Sequence, residues 1–260
     1  MKTTTSKRGA AKSEDLVWEG DLDSHLEKQL VYSSPSIRER RRRILREARN
    51  MLAEGGLEKF NIRTLCKRAD VAQRTLYNAF QNRDRIMALA IRGAYEDVNL
   101  YMRYRTSAET LEGIIDRLIS VNTRNLRARN YTRAVTSIFF APAASLDIWI
   151  ALREMVDINL RQWLNRLARE DLLEDWVDVE ELAHEIANIE YSIINDWAQD
   201  RIPDADYVRR LVTAVLTHVA GVLRGDEKEA AITMLRQIRK TGQLPEFPKP
   251  VYVPPETSPE

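Results

Sequence analysis

Apolar residues recur along this chain at three- and four-residue intervals, the spacing that places side chains on one face of an α-helix. Over 36–54 that face is Ile37, Ile44, Leu45, Ala48, Met51 and Leu52. Ser34-Pro35-Ser36 is a start signal for this helix, and Gly55-Gly56 is its stop. A short helix follows over 62–69, with Ile62, Leu65, Cys66 and Ala69 on one side. Asn61 precedes it and can accept a hydrogen bond from its first-turn amides. Asp70-Val71 interrupts the pattern. A second short helix then runs over 73–80, with Leu76 and Phe80 inside and Gln73, Arg74, Tyr77 and Asn78 outside. The three helices predict a small domain with Ile44, Leu52, Phe60, Leu65, Leu76 and Phe80 as its core. Asn82 caps the next helix, which runs past Ile86, Leu89 and Ala90 to about residue 104.

Helical periodicity continues from residue 107. It predicts helices over 110–127, 131–140, 144–170, 179–200, 205–223 and 226–240, with Pro142 and Pro203 at breaks. Glycines number nine, and Val-Ile-Thr alternations are few, so the fold class is all-α. Residues 1–34 read as an N-terminal arm, basic at Lys2, Lys7, Arg8 and Lys12, with a weak helix at 16–32. Such an arm can reach the minor groove of DNA or can be a loosely packed tail. Residues 241–260 form a tail, and 245–260 hold six of the nine prolines, so an extended, mobile segment is expected there. The organisation is therefore an arm (1–34), a three-helix domain (35–85), a larger helical domain (86–240) and the tail.

Two short helices joined by a tight turn make a helix-turn-helix, whose second helix enters the DNA major groove. The outward residues suit that role, because Arg can fork onto guanine, Asn or Gln onto adenine, and hydroxyls can reach phosphate. Charge sharpens the picture. The chain's net charge is only +1, yet residues 36–85 hold 14 Lys and Arg against 6 Asp and Glu. Residues 86–260 hold 21 against 27. One segment thus carries the basic footprint expected of a phosphate-facing surface. Arg38, Arg40, Arg41, Arg42, Arg43, Arg46 and Arg49 contribute a basic outer face to the first helix.

These residues resemble the DNA-binding domain of the tetracycline-repressor (TetR) family. That family's pattern is a capping Thr, an Ile-Ala pair, Ala-Gly-Val at the turn, Ser-x-x-Thr-Leu-Tyr-x-x-Phe, then a Lys-Glu pair before a Leu. Here the pattern reads Asn61, Leu65-Cys66, Ala69-Asp70-Val71, Ala72, Thr75-Leu76-Tyr77, Phe80, Arg83-Asp84 and Ile86. Asp70 replaces the turn glycine, Arg74 a frequent glycine, and Ala79 a frequent His or Tyr. The resemblance implies DNA contacts by Gln73, Arg74, Thr75, Tyr77 and Asn78, supported by Asn61 and Arg83 at helix ends. It also implies a homodimer that reads a palindromic double-stranded DNA operator.

In the resembled family an inducer lies among the middle helices of the larger domain, here about 107–200. That stretch is rich in aromatic residues sharing helix faces with asparagines, as an apolar small-molecule site requires. Asn122, Phe139, Phe140, Trp149, Asn188 and Tyr191 are the expected lining, and a hydrophobic or aromatic compound the expected inducer. Helices 179–200 and 205–223 carry more apolar positions than one packing partner needs. In the family the last two main helices form a four-helix bundle across a two-fold axis. Ile186, Ile193, Trp197, Leu211, Val215 and Val219 are the expected dimer contacts.

No catalytic constellation is present. His25, His184 and His218 lie apart, and no phosphate-binding glycine loop, zinc-protease helix or nucleophile elbow occurs. The single Cys66 forms neither an intrachain disulfide nor a thiolate metal site. No apolar run spans a bilayer and no secretory leader is visible, so a cytoplasmic protein without cofactor, metal or membrane partner is expected. The sequence accordingly reads as a ligand-responsive transcriptional repressor of the TetR type and not an enzyme. Two alternatives fit the same residues: a TetR-like regulator without a small inducer, and a helical binding protein whose helix-turn-helix does not engage DNA.

Overall fold

The structure, a computed structural model, describes residues 34–141 and 146–253. The arm expected over 1–34, with its weak helix and His25, falls outside these residues apart from Ser34; so do Pro142 and the end of the tail.

Ten helices and two short strands are present among the described residues. In chain order they are α1 (Pro35–Lys59), α2 (Ile62–Arg68), α3 (Gln73–Phe80), α4 (Arg83–Tyr101), β1 (Met102–Arg103), α5 (Leu111–Asn125) and α6 (Arg129–Phe139). There follow α7 (Leu146–Arg169), α8 (Val179–Ala198), α9 (Asp204–Val222), α10 (Gly225–Thr241) and β2 (Val251–Tyr252). The caps follow the sequence. Asn61 accepts from the Thr64 amide at 2.8 Å, Thr110 from Gly113 at 3.2 Å, and Asp178 from Glu181 at 2.9 Å. Gly55 remains helical. The break in α1 comes at Gly56, whose backbone (φ 64°, ψ −161°) belongs to a region open essentially to glycine alone.

The core expected for the first three helices is present. Ile44, Leu52, Phe60, Leu65, Leu76 and Phe80 are each at most 3% exposed. Helix α4 adds Ile86, Ala90 and Ile91 to the buried set and then packs along α7. In the larger assembly α8 touches α6, α7 and α9, and α9 touches α5, α8 and α10.

That central placement corrects the expected dimer contacts. Ile186, Trp197, Leu211, Val215 and Val219 are at most 2% exposed within the single chain. They face neighbouring helices of their own protomer, and Ile193 alone of the six is half-buried. The apolar positions that looked surplus are taken up because α8 and α9 are packed on several sides at once. The tail is also different from expectation. Helix α4 stops at Tyr101, and β2 pairs antiparallel with β1, Met102 opposite Tyr252 and Arg103 opposite Val251. The Val253 amide donates to the Tyr101 carbonyl at 2.8 Å, and the Tyr101 and Tyr252 rings meet edge to face at 6.0 Å.

Candidate nucleic-acid interface and ligand cavity

Helices α2 and α3 meet across the turn at 69–72. Asp70 takes φ 48°, the left-handed conformation that Asp accepts more readily than most residues. The Val71 amide closes the turn on the Cys66 carbonyl at 3.0 Å. Leu76 and Phe80 anchor α3 to the core. Gln73, Arg74, Tyr77 and Asn78 are exposed and Thr75 is half-buried. None of these five side chains makes a hydrogen bond within the chain among the described residues. A rigidly seated helix with an unspent polar face is what major-groove reading requires.

The supporting residues have structural partners. Asn61 caps α2. Arg83 donates to the Phe60 carbonyl at 3.3 Å and its guanidinium lies 5.6 Å from the centre of the Phe60 ring. Asn61→Ala should lower stability by about 1 kcal/mol, the usual value of such a cap, measured by urea unfolding. An unchanged midpoint would show that the first turn of α2 is held by packing alone.

Two arginines of the basic run turn inward. Arg41 donates to the Ala79 carbonyl at 2.8 Å and lies 4.6 Å over the Phe80 ring. Arg43 donates to the Ala69 carbonyl at 2.9 Å. They staple α1 to the end of α3 and to the turn. Periodicity had set both on the outer face. The long side chains instead reach across to α3 and the turn, where their charged heads find backbone oxygens. Arg40, Arg42 and Arg46 remain exposed. The Arg68–Glu54 pair, bidentate at 2.7 and 2.9 Å, ties α2 to α1 at the surface, where such pairs add little stability.

The larger assembly holds a cavity of about 250 Å³ that is partly open to solvent. Six helices supply its apolar wall: Ile91 of α4, Leu118 of α5, Val135 of α6, Leu160 of α7, Ile194 of α8 and Val215 of α9. Of the six residues expected to line such a site, Asn122 and Tyr191 are on the wall. The other four lie elsewhere. Phe139 stacks behind the wall on Tyr191 at 4.1 Å, and Phe140 is 49% exposed. Trp149 lies under the Arg153 guanidinium at 3.7 Å, and Asn188 is exposed and accepts from Arg153 at 2.9 Å. Aromatic content marked the region but not which ring faces inward, since that depends on how helices rotate against each other.

The wall's polar groups mostly point their donors at the protein. The Tyr191 hydroxyl donates to the Leu152 carbonyl at 2.8 Å, the Asn122 amide to Leu118 at 2.8 Å, and the Tyr131 hydroxyl to Ile91 at 3.4 Å. Thr132 and Thr136 donate to backbone carbonyls, and Asn159 to the Tyr95 hydroxyl. Glu190 differs. It is 8% exposed, lines the cavity, and has no hydrogen-bond partner among the described residues. Burial pushes its carboxyl up to about 8. The sequence carried a signal for it: Glu190 falls four residues from both Ile186 and Ile194, on the apolar stripe of α8.

The profile of the bacterial regulatory proteins of the tetR family matches residues 44–90, which span most of α1 through the first turns of α4. Residues 44–90 are therefore a tetR-family segment. The HTH-type transcriptional repressor KstR of Rhodococcus jostii (strain RHA1) is 25% identical over 216 residues, 83% of this chain and 94% of KstR. Two solved structures share the fold. RolR, in complex with resorcinol, aligns with a TM-score of 0.57 at 17% identity, over 82% of this chain and 99% of that one. Thermus thermophilus FadR, a TetR-family repressor in complex with lauroyl-CoA, aligns with a TM-score of 0.54 at 15% identity, over 72% and 96%. Within the tetR family pattern, the turn position held by glycine is here Asp70, whose positive φ explains why glycine suits it. No helix among the described residues is long and apolar enough to cross a membrane.

Proposed function

We propose that this protein is a homodimeric, cytoplasmic transcriptional repressor of the tetR type. It reads a palindromic DNA operator through α3 and leaves it when a small, mostly apolar inducer enters the cavity. It acts by binding alone, without cofactor or catalysis. Residues 35–85 serve as the DNA-binding domain and 86–240 as the ligand and dimer domain. Gln73, Arg74, Thr75, Tyr77 and Asn78 contact the operator, with Asn61 and Arg83 as positioning residues. Ile193 and the outward sides of α8 and α9 are what remains for the second copy.

Helix α4 carries this reading. Its first half is buried with the three-helix core through Ile86, and its second half walls the cavity through Ile91 and Tyr95. A ligand that favours one setting of α4 therefore biases the placement of α3. The shift equals the ligand's difference in affinity for the two settings. Repression, and not activation, follows the similarity to KstR. A small-molecule signal is supported by the ligands bound to RolR and FadR.

Selection of duplexes from a random library by the purified protein, at about physiological salt, tests the reading. Enrichment of a palindrome whose half-sites lie about 34 Å apart, or a multiple of it, is expected for a dimer. Weak, sequence-independent binding alone would sink it. On the selected duplex Arg74→Ala should cost about 1–3 kcal/mol and relax the preference at one guanine. An equal loss on every sequence would make Arg74 a phosphate contact.

A further inference from the structure

The cavity has a directional chemistry beyond its apolar character. We infer that Glu190 is its specificity-determining residue and that the ligand is a compact, uncharged, mostly apolar molecule with one hydrogen-bond acceptor, such as a ketone, presented to the Glu190 carboxyl. This rests on the reading of the cavity as the inducer site and names the ligand class that site takes.

Three observations carry it. First, the carboxyl is buried on the wall with no protein hydrogen-bond partner among the described residues, so a group of the ligand is free to complete it. Second, the donors of Asn122, Tyr131, Thr132, Thr136, Asn159 and Tyr191 are directed at protein acceptors. Third, the cavity of about 250 Å³ lies just below the ~300–1,000 Å³ usual for ligand sites, so the part of the ligand held beside Glu190 is a small ring system.

The surroundings choose the sign of the interaction. Tyr95 of α4, Arg124 of α5 and Tyr131 of α6 share the wall with Glu190, as do Tyr191 on α8 itself and the apolar Met155, Val156 and Leu160 with Asn159 of α7. Tyr207 of α9 lies close enough to feel the carboxyl's charge. Arg124 is the cation of this set, and a cationic ligand would have to share the cavity with it. Burial also raises the carboxyl to about 8, so near neutral pH Glu190 holds its proton and acts as a donor. A neutral acceptor satisfies it without ionisation. A protonated amine would need Glu190 ionised first.

Three molecules of one bicyclic skeleton separate the possibilities: tetralin, 2-tetralone and 2-aminotetralin. Their binding to the full-length protein is measured by calorimetry at pH 6.5 and 9.5. At pH 6.5 the ketone should bind about tenfold more tightly than the hydrocarbon, the value of one net hydrogen bond. At pH 9.5, with Glu190 ionised, that advantage should disappear. Glu190→Leu should abolish it at both pH values. Glu190→Gln, which keeps a donor but cannot titrate, should retain it at both, isolating Glu190 from the neighbouring tyrosines. Both variants are checked for wild-type circular dichroism. At pH 6.5, equal binding of ketone and hydrocarbon, tightest binding of the amine, a ketone preference surviving in Glu190→Leu, or no binding by any probe would each overturn the assignment. Release of the selected duplex is followed separately. A ketone that binds as expected but leaves DNA affinity unchanged would refute the regulatory reading while leaving the ligand class standing. Duplex binding by a protein that no probe enters would do the reverse.

Discussion

Raising the pH from about 4.5 to above 8 should destabilise this protein by on the order of 3–5 kcal/mol through Glu190. In the unfolded chain its carboxyl ionises near the ordinary value of 4.5, whereas in the fold burial holds it near 8. Between those values the unfolded state binds fewer protons than the folded one. Stability is therefore fully present below about 4.5 and is lost as pH rises through 8. Other carboxylates held by arginines oppose part of this. Glu54 beside Arg68 and Glu180 beside Arg161 are held below the usual range, and their stabilisation disappears at low pH instead. The comparison that isolates Glu190 is wild type against Glu190→Gln, by urea unfolding across pH 4–9. The difference between them should grow steadily with pH in favour of the variant. A constant difference would mean that the carboxyl is solvated in the folded protein, which would also remove the case for a partnerless group at the cavity. A saturating uncharged ligand should leave the slope in place, because it binds the protonated form and raises the folded-state pKa further.

Phe80→Ala should cost about 3–5 kcal/mol and abolish binding to the selected duplex. Phe80 is 1% exposed at the last turn of α3, with the Arg41 guanidinium 4.6 Å above its ring. Truncation opens a cavity in the three-helix core and removes the surface on which Arg41 rests. Arg41 also donates to the neighbouring Ala79 carbonyl, so the staple between α1 and α3 loosens as a unit. Urea unfolding gives the stability and fluorescence anisotropy gives the DNA affinity. Asn78→Ala is the contrasting variant: exposed and without an internal hydrogen bond, it should weaken DNA binding and leave the unfolding midpoint within about 0.5 kcal/mol of wild type. If Phe80→Ala unfolds like wild type, α3 is not seated by its apolar face and its role as a rigid reading head fails.

What the amino-acid order by itself determined is the local part of the structure. Helix spans followed from apolar spacing, and the caps at Asn61 and Asn82 from short polar side chains beside free amides. The left-handed turn at Asp70 and the uneven distribution of basic residues were legible for the same reason: each depends on neighbours within a few positions. The core of the three-helix segment was legible too, because one long and two short amphipathic helices leave few ways to bury Ile44, Leu65, Leu76 and Phe80 together. Tertiary structure decided everything that depends on which side of a helix meets which neighbour. It turned Arg41 and Arg43 inward, spent the apolar faces of α8 and α9 inside one protomer, and rotated Phe140, Trp149 and Asn188 away from the cavity. It also paired Val251–Tyr252 with Met102–Arg103, across a separation that no local pattern encodes. Glu190 lies between the two cases. Its place on an apolar stripe is written in the sequence, but whether a partner awaits it there depends on side chains from five other helices, and only their packing leaves the carboxyl without one.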